Sequence, residues 1–248
     1  MKVFRLIRSK PATAVYNMAL DEKIFNQYLL DGIPVLRVYR WSSPSFTYGF
    51  SQRPEDSLDL SKCAKDGIEV IKRITGGGIL FHQDEITYSF VCSKQDAGEA
   101  PSVFVSYRQI CAFLVRFYES FGLKASFAVE SGNFKDKLTP HLLCSASNEK
   151  YDIVINNKKI GGNAQKRRKQ AVFQHGVIPW SIDWSFMEKY VRDFPVDMPS
   201  KITTLSQELT DFFDKNILED RLIDAFGSVF DARFCEEDKI YCETGVAE

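Results

Sequence analysis

The chain has no apolar run approaching the ~20 residues that a membrane-spanning helix needs, so no membrane segment is expected. It has no Cys-x-x-Cys pair either. Its six cysteines, Cys63, Cys92, Cys111, Cys144, Cys235 and Cys242, are widely spaced. That spacing argues against a structural zinc site, so no metal is expected, and it predicts reduced thiols in the cytoplasm rather than a disulfide framework. The opening stretch MKVFRLIRSKPATAVYNM scatters charges among its apolar residues and lacks the continuous apolar region of a signal peptide. Excess charge of one sign is missing as well. A net charge of −1 argues against a mainly electrostatic grip on nucleic acid or membrane.

What is present is a composition rich in core-forming residues: 20 Phe and 10 Tyr among 248 residues, enough for a substantial buried core. VFRLI (3–7) and VLRVYRW (35–41) read as strands, with a helix from about Ala14 to Leu30 between them that stops at Asp31-Gly32. SFTYGF, IEVIKR (68–73), ILFH (79–82), ITYSFVC (86–92), LKASFAV and QAVFQHGVIPW (170–180) are further strand candidates. Short and long helices are predicted over 57–67 and 101–122, ending at Gly67 and Gly122. Asn156-Asn157 suits a two-residue hairpin turn, because Asn tolerates positive φ. Residues 130–141 are polar and rich in Gly, Pro and Lys, which predicts a mobile surface loop. Beyond Trp180 the pattern turns helical, over 185–194, about 203–215 and about 217–228. No linker divides the chain. The expectation is one α+β domain of mixed β-sheet covered by helices, with residues 1–182 as a catalytic core and 183–248 as a helical segment completing it.

Three stretches could carry chemistry. In KRITGGGILFH (72–82), Gly76, Gly77 and Gly78 lie between two strands, so bare backbone N–H groups could converge on an anionic group. Arg73 and His82 flank the run, and the spacing fits neither a Walker loop nor Gly-x-Gly-x-x-Gly. In KKIGGNAQKRRK, Lys158 and Lys159 are adjacent on a strand and so point to opposite faces, with Gly161-Gly162 leaving the neighbouring backbone unobstructed. The basic run Lys166-Arg167-Arg168-Lys169 could be a solvated loop or attract an acidic partner or a phosphate. Cys144 stands at the end of the polar loop, where a nearby Lys159 or histidine would lower its pKa and make it nucleophilic. His141 and His175, like His82, have structural readings as well as catalytic ones.

Taken together, these stretches resemble the lipoate–protein ligase and octanoyltransferase superfamily, related in fold to biotin–protein ligases. Asn17-Met18-Ala19-Leu20-Asp21-Glu22 is similar to the family's NMALDE helix, and Trp41…Pro44…Gly49…Gln52 to its W-x-x-P…G-x-x-Q segment. KRITGGGILFH with EITYS, then KKIGGNAQ (including Gly162, Asn163 and Ala164) with FQHGVI, resemble its remaining signatures in the same order over residues 14–180. The resemblance implies an enzyme that places octanoyl or lipoyl groups on a lysine of lipoyl domains or of the glycine-cleavage H protein. Arg73, the three glycines, His82, Gln52, Gly162, Asn163, Ala164 and His175 would then line the substrate cleft.

Two mechanisms use this scaffold. A transferase takes octanoate from acyl carrier protein through a cysteine thioester and needs no cofactor; here Cys144 would be the nucleophile and Lys159 would polarise the carbonyl. A ligase uses ATP and Mg²⁺ to make lipoyl-AMP, with Lys159 on the acyl carbonyl and phosphate. Cys144, seven residues before Tyr151, resembles the transferase branch, although Ser145 and Ser147 replace that branch's Phe and Pro. The third glycine, Gly78, resembles the ligases, which however carry a longer C-terminal accessory domain than the 68 residues that follow Trp180. Gln83-Asp84 replaces the Asp that usually follows the histidine directly. The sequence favours the transferase and leaves the ligase as its alternative.

Overall fold

The computed structural model describes residues 1–98, 102–131, 150–209 and 214–236. Cys144, His141, Cys242 and residues 132–141 of the expected loop lie outside them. In chain order the first half contains β1 (Lys2–Arg8), α1 (Ala14–Asp31), β2 (Val35–Tyr39), β3 (Ser45–Tyr48), α2 (Leu60–Lys65), β4 (Glu69–Lys72), β5 (Leu80–His82) and β6 (Asp84–Ser93). Then follow α3 (Val103–Glu119), β7 (Ala125–Phe127), β8 (Ile153–Ile155), β9 (Lys158–Lys159), β10 (Gly162–Arg167) and β11 (Ala171–Ser181). The C-terminal part contains α4 (Trp184–Glu188), α5 (Met198–Lys201), α6 (Leu205–Glu208), α7 (Lys215–Phe230) and β12 (Ala232–Glu236).

Local chemistry sets the helix ends. Thr13 caps α1, its hydroxyl accepting from the Tyr16 N–H, and Gly32 closes it at φ 68° with its own N–H on the Tyr28 carbonyl. Gly67 and Gly122 adopt the same left-handed conformation beyond α2 and α3. The Asn156-Asn157 turn holds as expected, at φ 50° and 62°, and joins β8 to β9.

The strands form three sheets. A six-stranded sheet runs β10-β11-β6-β2-β1-β12, and two three-stranded sheets run β4-β3-β5 and β7-β8-β9. β1 and β2 are parallel, joined by α1 as a crossover helix. Period-two alternation along β6 and β11 divides the large sheet's two faces. Phe90 meets Phe113 of α3 and Phe226 of α7 on one face. Phe173 meets Phe25 of α1 on the other. The small β4-β3-β5 sheet also sits on the α1 side, with Ile71 packed against Ala14, Met18, Tyr39 and Trp41.

The C-terminal part differs from its helical expectation in two ways. The helix expected over 185–194 stops at Glu188, beyond which Val191 bridges Leu58 and the Arg192 N–H donates to the Ser57 carbonyl at 2.8 Å. Residues 232–236, placed within the helical segment expected over 183–248, form β12, which pairs in parallel with β1 at the edge of the large sheet. Among the described residues no helix is long and apolar enough to cross a membrane.

Candidate active site

The β8–β9 hairpin delivers Lys159 inward. Lys158 is exposed on one side of β9, while Lys159, on the other, is only 3% exposed. Its Nζ lies 2.8 Å from a carboxylate oxygen of Asp152, which is also buried. Taking both charges out of water is costly, and this close contact offsets part of that cost. Lys159 lines a small, partly open cleft. Leu80, Phe81, Val177 and Ile202 make it apolar, and Glu85 brings a carboxylate into its lining. Gly161 turns the chain beside Lys159 at φ 77°, where a Cβ would lie 2.1 Å from the Val177 carbonyl oxygen. Any larger residue there would force β10 off β11.

The glycine run does not form the wall of this cleft, as the sequence led us to expect. That wall is Leu80 and Phe81, on the strand that follows the glycines. Arg73 turns back into its own loop: its guanidinium donates to the carbonyls of Gly76 (3.1 Å), Gly78 (2.7 Å) and Thr47 (2.8 Å). The arginine therefore shapes the loop from within, through carbonyl oxygens that point at a cation. The backbone of the run is itself closely approached at one point at least. Gly49 lies so close that a Cβ on it would meet the Gly77 carbonyl oxygen at 2.1 Å. Gln52 is half-buried and closes a turn with its N–H on the Gly49 carbonyl.

His82 and His175 lie in a buried polar layer beneath this loop. His82 sits between Thr47 Oγ1 (2.6 Å) and Glu85 Oε1 (2.7 Å), with its ring stacked on Trp41 at 3.8 Å between centroids. His175 Nε2 bonds Thr75 Oγ1 at 2.7 Å, and its Nδ1 faces Asp21 at 3.5 Å. Thr75 immediately precedes the glycines, so His175 is tied to the loop's first residue. Asp21 also accepts from Arg37 (2.7 Å), Ser89 (2.7 Å) and Tyr39 (2.9 Å). Burial alone would raise its carboxyl, but Arg37, with His175 and Ser89, holds it below the usual carboxylate range. Burial pushes His175 down, against the pull of Asp21, and Arg73 and His82 push the same way.

Of the remaining expected positions, Gly162 lines the cleft next to Lys159. Ala164 faces His175 across the β10–β11 ladder. Asn163 points to the opposite face, its side-chain oxygen accepting from Tyr88 at 2.6 Å. Sequence reading passed over Asp21, Glu85, Asp152, Thr47 and Thr75. The acids give little signal in sequence: Asp21 and Glu85 stand beside Glu22-Lys23 and Gln83-Asp84, and Asp152 only opens the apolar run 153–155, so their burial shows in the fold alone. The three buried cysteines are not poised as nucleophiles by their surroundings: burial pushes Cys63 up to about 11 and Cys111 up to about 12, and raises Cys92 further.

Residues 13–227 match the sequence family described as the lipoyl protein ligase A/B catalytic domain. The chain belongs to that family. Similar curated relatives of the lipoyl protein ligase A/B family include Octanoyltransferase LipM of Clostridioides difficile, 29% identical over 247 residues spanning 96% of this chain and 91% of the relative. Octanoyltransferase LipM of Oceanobacillus iheyensis is 33% identical over 192 residues, 77% of this chain and 68% of the relative. In fold, the chain is similar to a lipoate-protein ligase A bound with ATP, with a TM-score of 0.77 at 23% identity, covering 96% of this chain and 89% of that one. It is also similar to a bi-partite lipoate protein ligase of Thermoplasma acidophilum, described with its E2 lipoyl domain, with a TM-score of 0.75 at 22% identity, covering 96% and 87%. The α+β fold with mixed sheets is thus the lipoate–protein ligase fold.

Proposed function

We propose that the protein is an octanoyltransferase of protein lipoylation, moving an octanoyl or lipoyl group from acyl carrier protein to a lysine of a lipoyl domain or glycine-cleavage H protein. The observation that carries this reading is a buried lysine, Lys159, at the wall of an apolar cleft, in a chain whose curated relatives are octanoyltransferases. In the proposed first step the Cys144 thiolate attacks the octanoyl thioester carbonyl. A carbon–sulfur bond forms to Cys144, the bond to the carrier's thiol breaks, and that thiol leaves. In the second step the acceptor lysine amine attacks the acyl-cysteine, an amide forms, and Cys144 is released as the thiol. Lys159 supplies positive charge where each tetrahedral oxyanion develops, worth about 3 kcal/mol if it acts as one oxyanion-hole donor. Thioester exchange is close to neutral and amide formation is downhill, so ATP is not consumed. The cleft's apolar lining rewards an acyl chain by about 0.8 kcal/mol per buried CH₂.

The alternative reading is an ATP-dependent ligase acting through lipoyl-AMP with Mg²⁺, favoured by the complete Gly76-Gly77-Gly78 run. One assay separates the two. Apo H protein is supplied either with octanoyl-acyl carrier protein without ATP, or with lipoate and ATP·Mg²⁺. The transferase modifies the H protein only in the first arm, and its intact mass shows an octanoyl adduct that disappears in Cys144→Ser. Full activity of Cys144→Ser with lipoate and ATP would establish the ligase instead.

A further inference from the structure

The basic run after the Gly-Gly-Asn-Ala-Gln stretch has no part in the cleft. β10 leaves the cleft at Gly162 and ends at Arg167, five residues and ~17 Å further along an extended strand. Arg168, Lys169 and Gln170 then turn the chain into β11. The turn is pinned at both ends: the Arg168 N–H donates to the Ala171 carbonyl at 2.9 Å, and the Lys94 N–H to the Gln170 carbonyl at 3.2 Å. Behind the tip two cations are engaged. Arg167 donates to Gln165 and Ser106, and Lys166 Nζ stands 5.2 Å above the Phe25 ring. Arg168, Lys169 and Lys94 are exposed, and among the described residues none of the three is in an ion pair. Asp96, in the connection that follows β6, is taken up by Lys2. A protein of net charge −1 thus gathers unneutralised cations on one fixed hairpin tip.

The distance says which partner such a tip fits. An acceptor protein offers a lysine on a four-carbon stem, so it has to dock at the rim of the cleft. A carrier protein offers its thioester at the end of a prosthetic arm several times longer, so its body docks an arm's length away. We propose that the β10–β11 hairpin tip, through Arg168 and Lys169 with Lys94 beside them, is the docking point for the acidic surface of the acyl carrier protein. This rests on the transferase reading above. The complementary charges act mainly on encounter, and salt screens them.

The test is an Arg168→Glu/Lys169→Glu double variant, compared with wild type at low and high salt, with apo lipoyl domain as acceptor. Two donors are used: octanoyl-acyl carrier protein and a small octanoyl thioester without protein, octanoyl-N-acetylcysteamine. The variant should raise KM for the carrier-bound donor about tenfold and flatten its salt dependence. Its kcat, its KM for the acceptor and its kinetics with the small thioester should match wild type, which also shows that it is folded. The charge-conserving Arg168→Lys/Lys169→Arg variant should behave as wild type. An unchanged carrier KM in an active enzyme overturns the docking surface alone, as does a rise confined to the acceptor's KM. A wild type inert with both thioesters overturns the transferase reading and the docking surface together.

Discussion

Lys159 and Asp152 form the residue pair with the most at stake, since each is buried and each is the other's counter-ion at 2.8 Å. Lys159→Met should lower the rate by a factor of about a hundred or more through loss of carbonyl stabilisation. It should also cost about 3 kcal/mol of stability, because Asp152 is left as a buried charge without that counter-ion. Adding Asp152→Asn to it should recover most of the stability and none of the activity. Urea unfolding beside a rate assay checks both, and a double variant as unstable as the single one would mean that the ion pair is not what holds this hairpin. A second residue-scale expectation concerns His175. Its pKa is held below 6.5, so the unfolded chain takes up a proton that the native chain accepts only at lower pH. Stability from this group is therefore full above about pH 6.5 and falls as pH drops below it. Asp21, held low, contributes stability that is lost only at more acid pH, below the ordinary carboxylate range. His175→Gln removes the first window while its amide can still hydrogen-bond Thr75, so wild-type Tm should fall more steeply than the variant's from about pH 7 to 5. Equal slopes would show that His175 does not titrate with folding. Of these residues Lys159 was legible, because adjacent lysines on a strand must face opposite ways. Asp152 was not, since only the register of β8 on β9 brings the acid under the lysine.

The glycine run is where reading an element and seeing it part company. Its place between two strands was legible from composition, and β4 and β5 flank it as expected. Its use was not, because the close approach is made by Gly49, more than twenty residues away in sequence. The two positions give opposite expectations from the same substitution. Gly49→Ala puts a methyl 2.1 Å from the Gly77 carbonyl oxygen, backbone against backbone, so the loop has to shift. Gly76→Ala meets only the Phe50 ring, at an ordinary 3.7 Å. Gly49→Ala should therefore lose about 2 kcal/mol or more and most of the activity, a strain of the overpacking kind. Gly76→Ala should keep its Tm within a few degrees. Arg73 belongs to the same element: it donates to three carbonyls of the β3 and glycine-loop backbone, and a side chain so engaged was indistinguishable in sequence from one aimed at a ligand.

At the scale of the whole molecule, the first strand meets the last described one. Residues 2–6 of β1 pair in parallel with 232–236 of β12, over a sequence separation that no local periodicity can report. ARFCE carries charges and little apolar run to announce a strand, so β12 was missed while α7 just before it was legible. The aromatic cluster beneath this pairing explains how it is held. Phe226 of α7 is fully buried, stacks on Phe230 at 4.1 Å, and meets Phe4, Phe90 and Phe113 edge to face at 5.2–5.3 Å. It thus links the C-terminal helix to β1, β6 and α3 in one packed layer, on the sheet face opposite α1. Phe226→Ala should cost about 3–5 kcal/mol, by lost burial and by the cavity left among those rings. The residues lining the cleft, mostly from β5, β6, β9, β10 and β11, are not among those rings, so KM for either donor should stay at its wild-type value at temperatures where the variant is folded. Urea titration and KM measured together decide the matter: a stability loss with KM unchanged fits a core that supports the site without shaping it, whereas a raised KM would mean that the aromatic layer sets the geometry of the cleft.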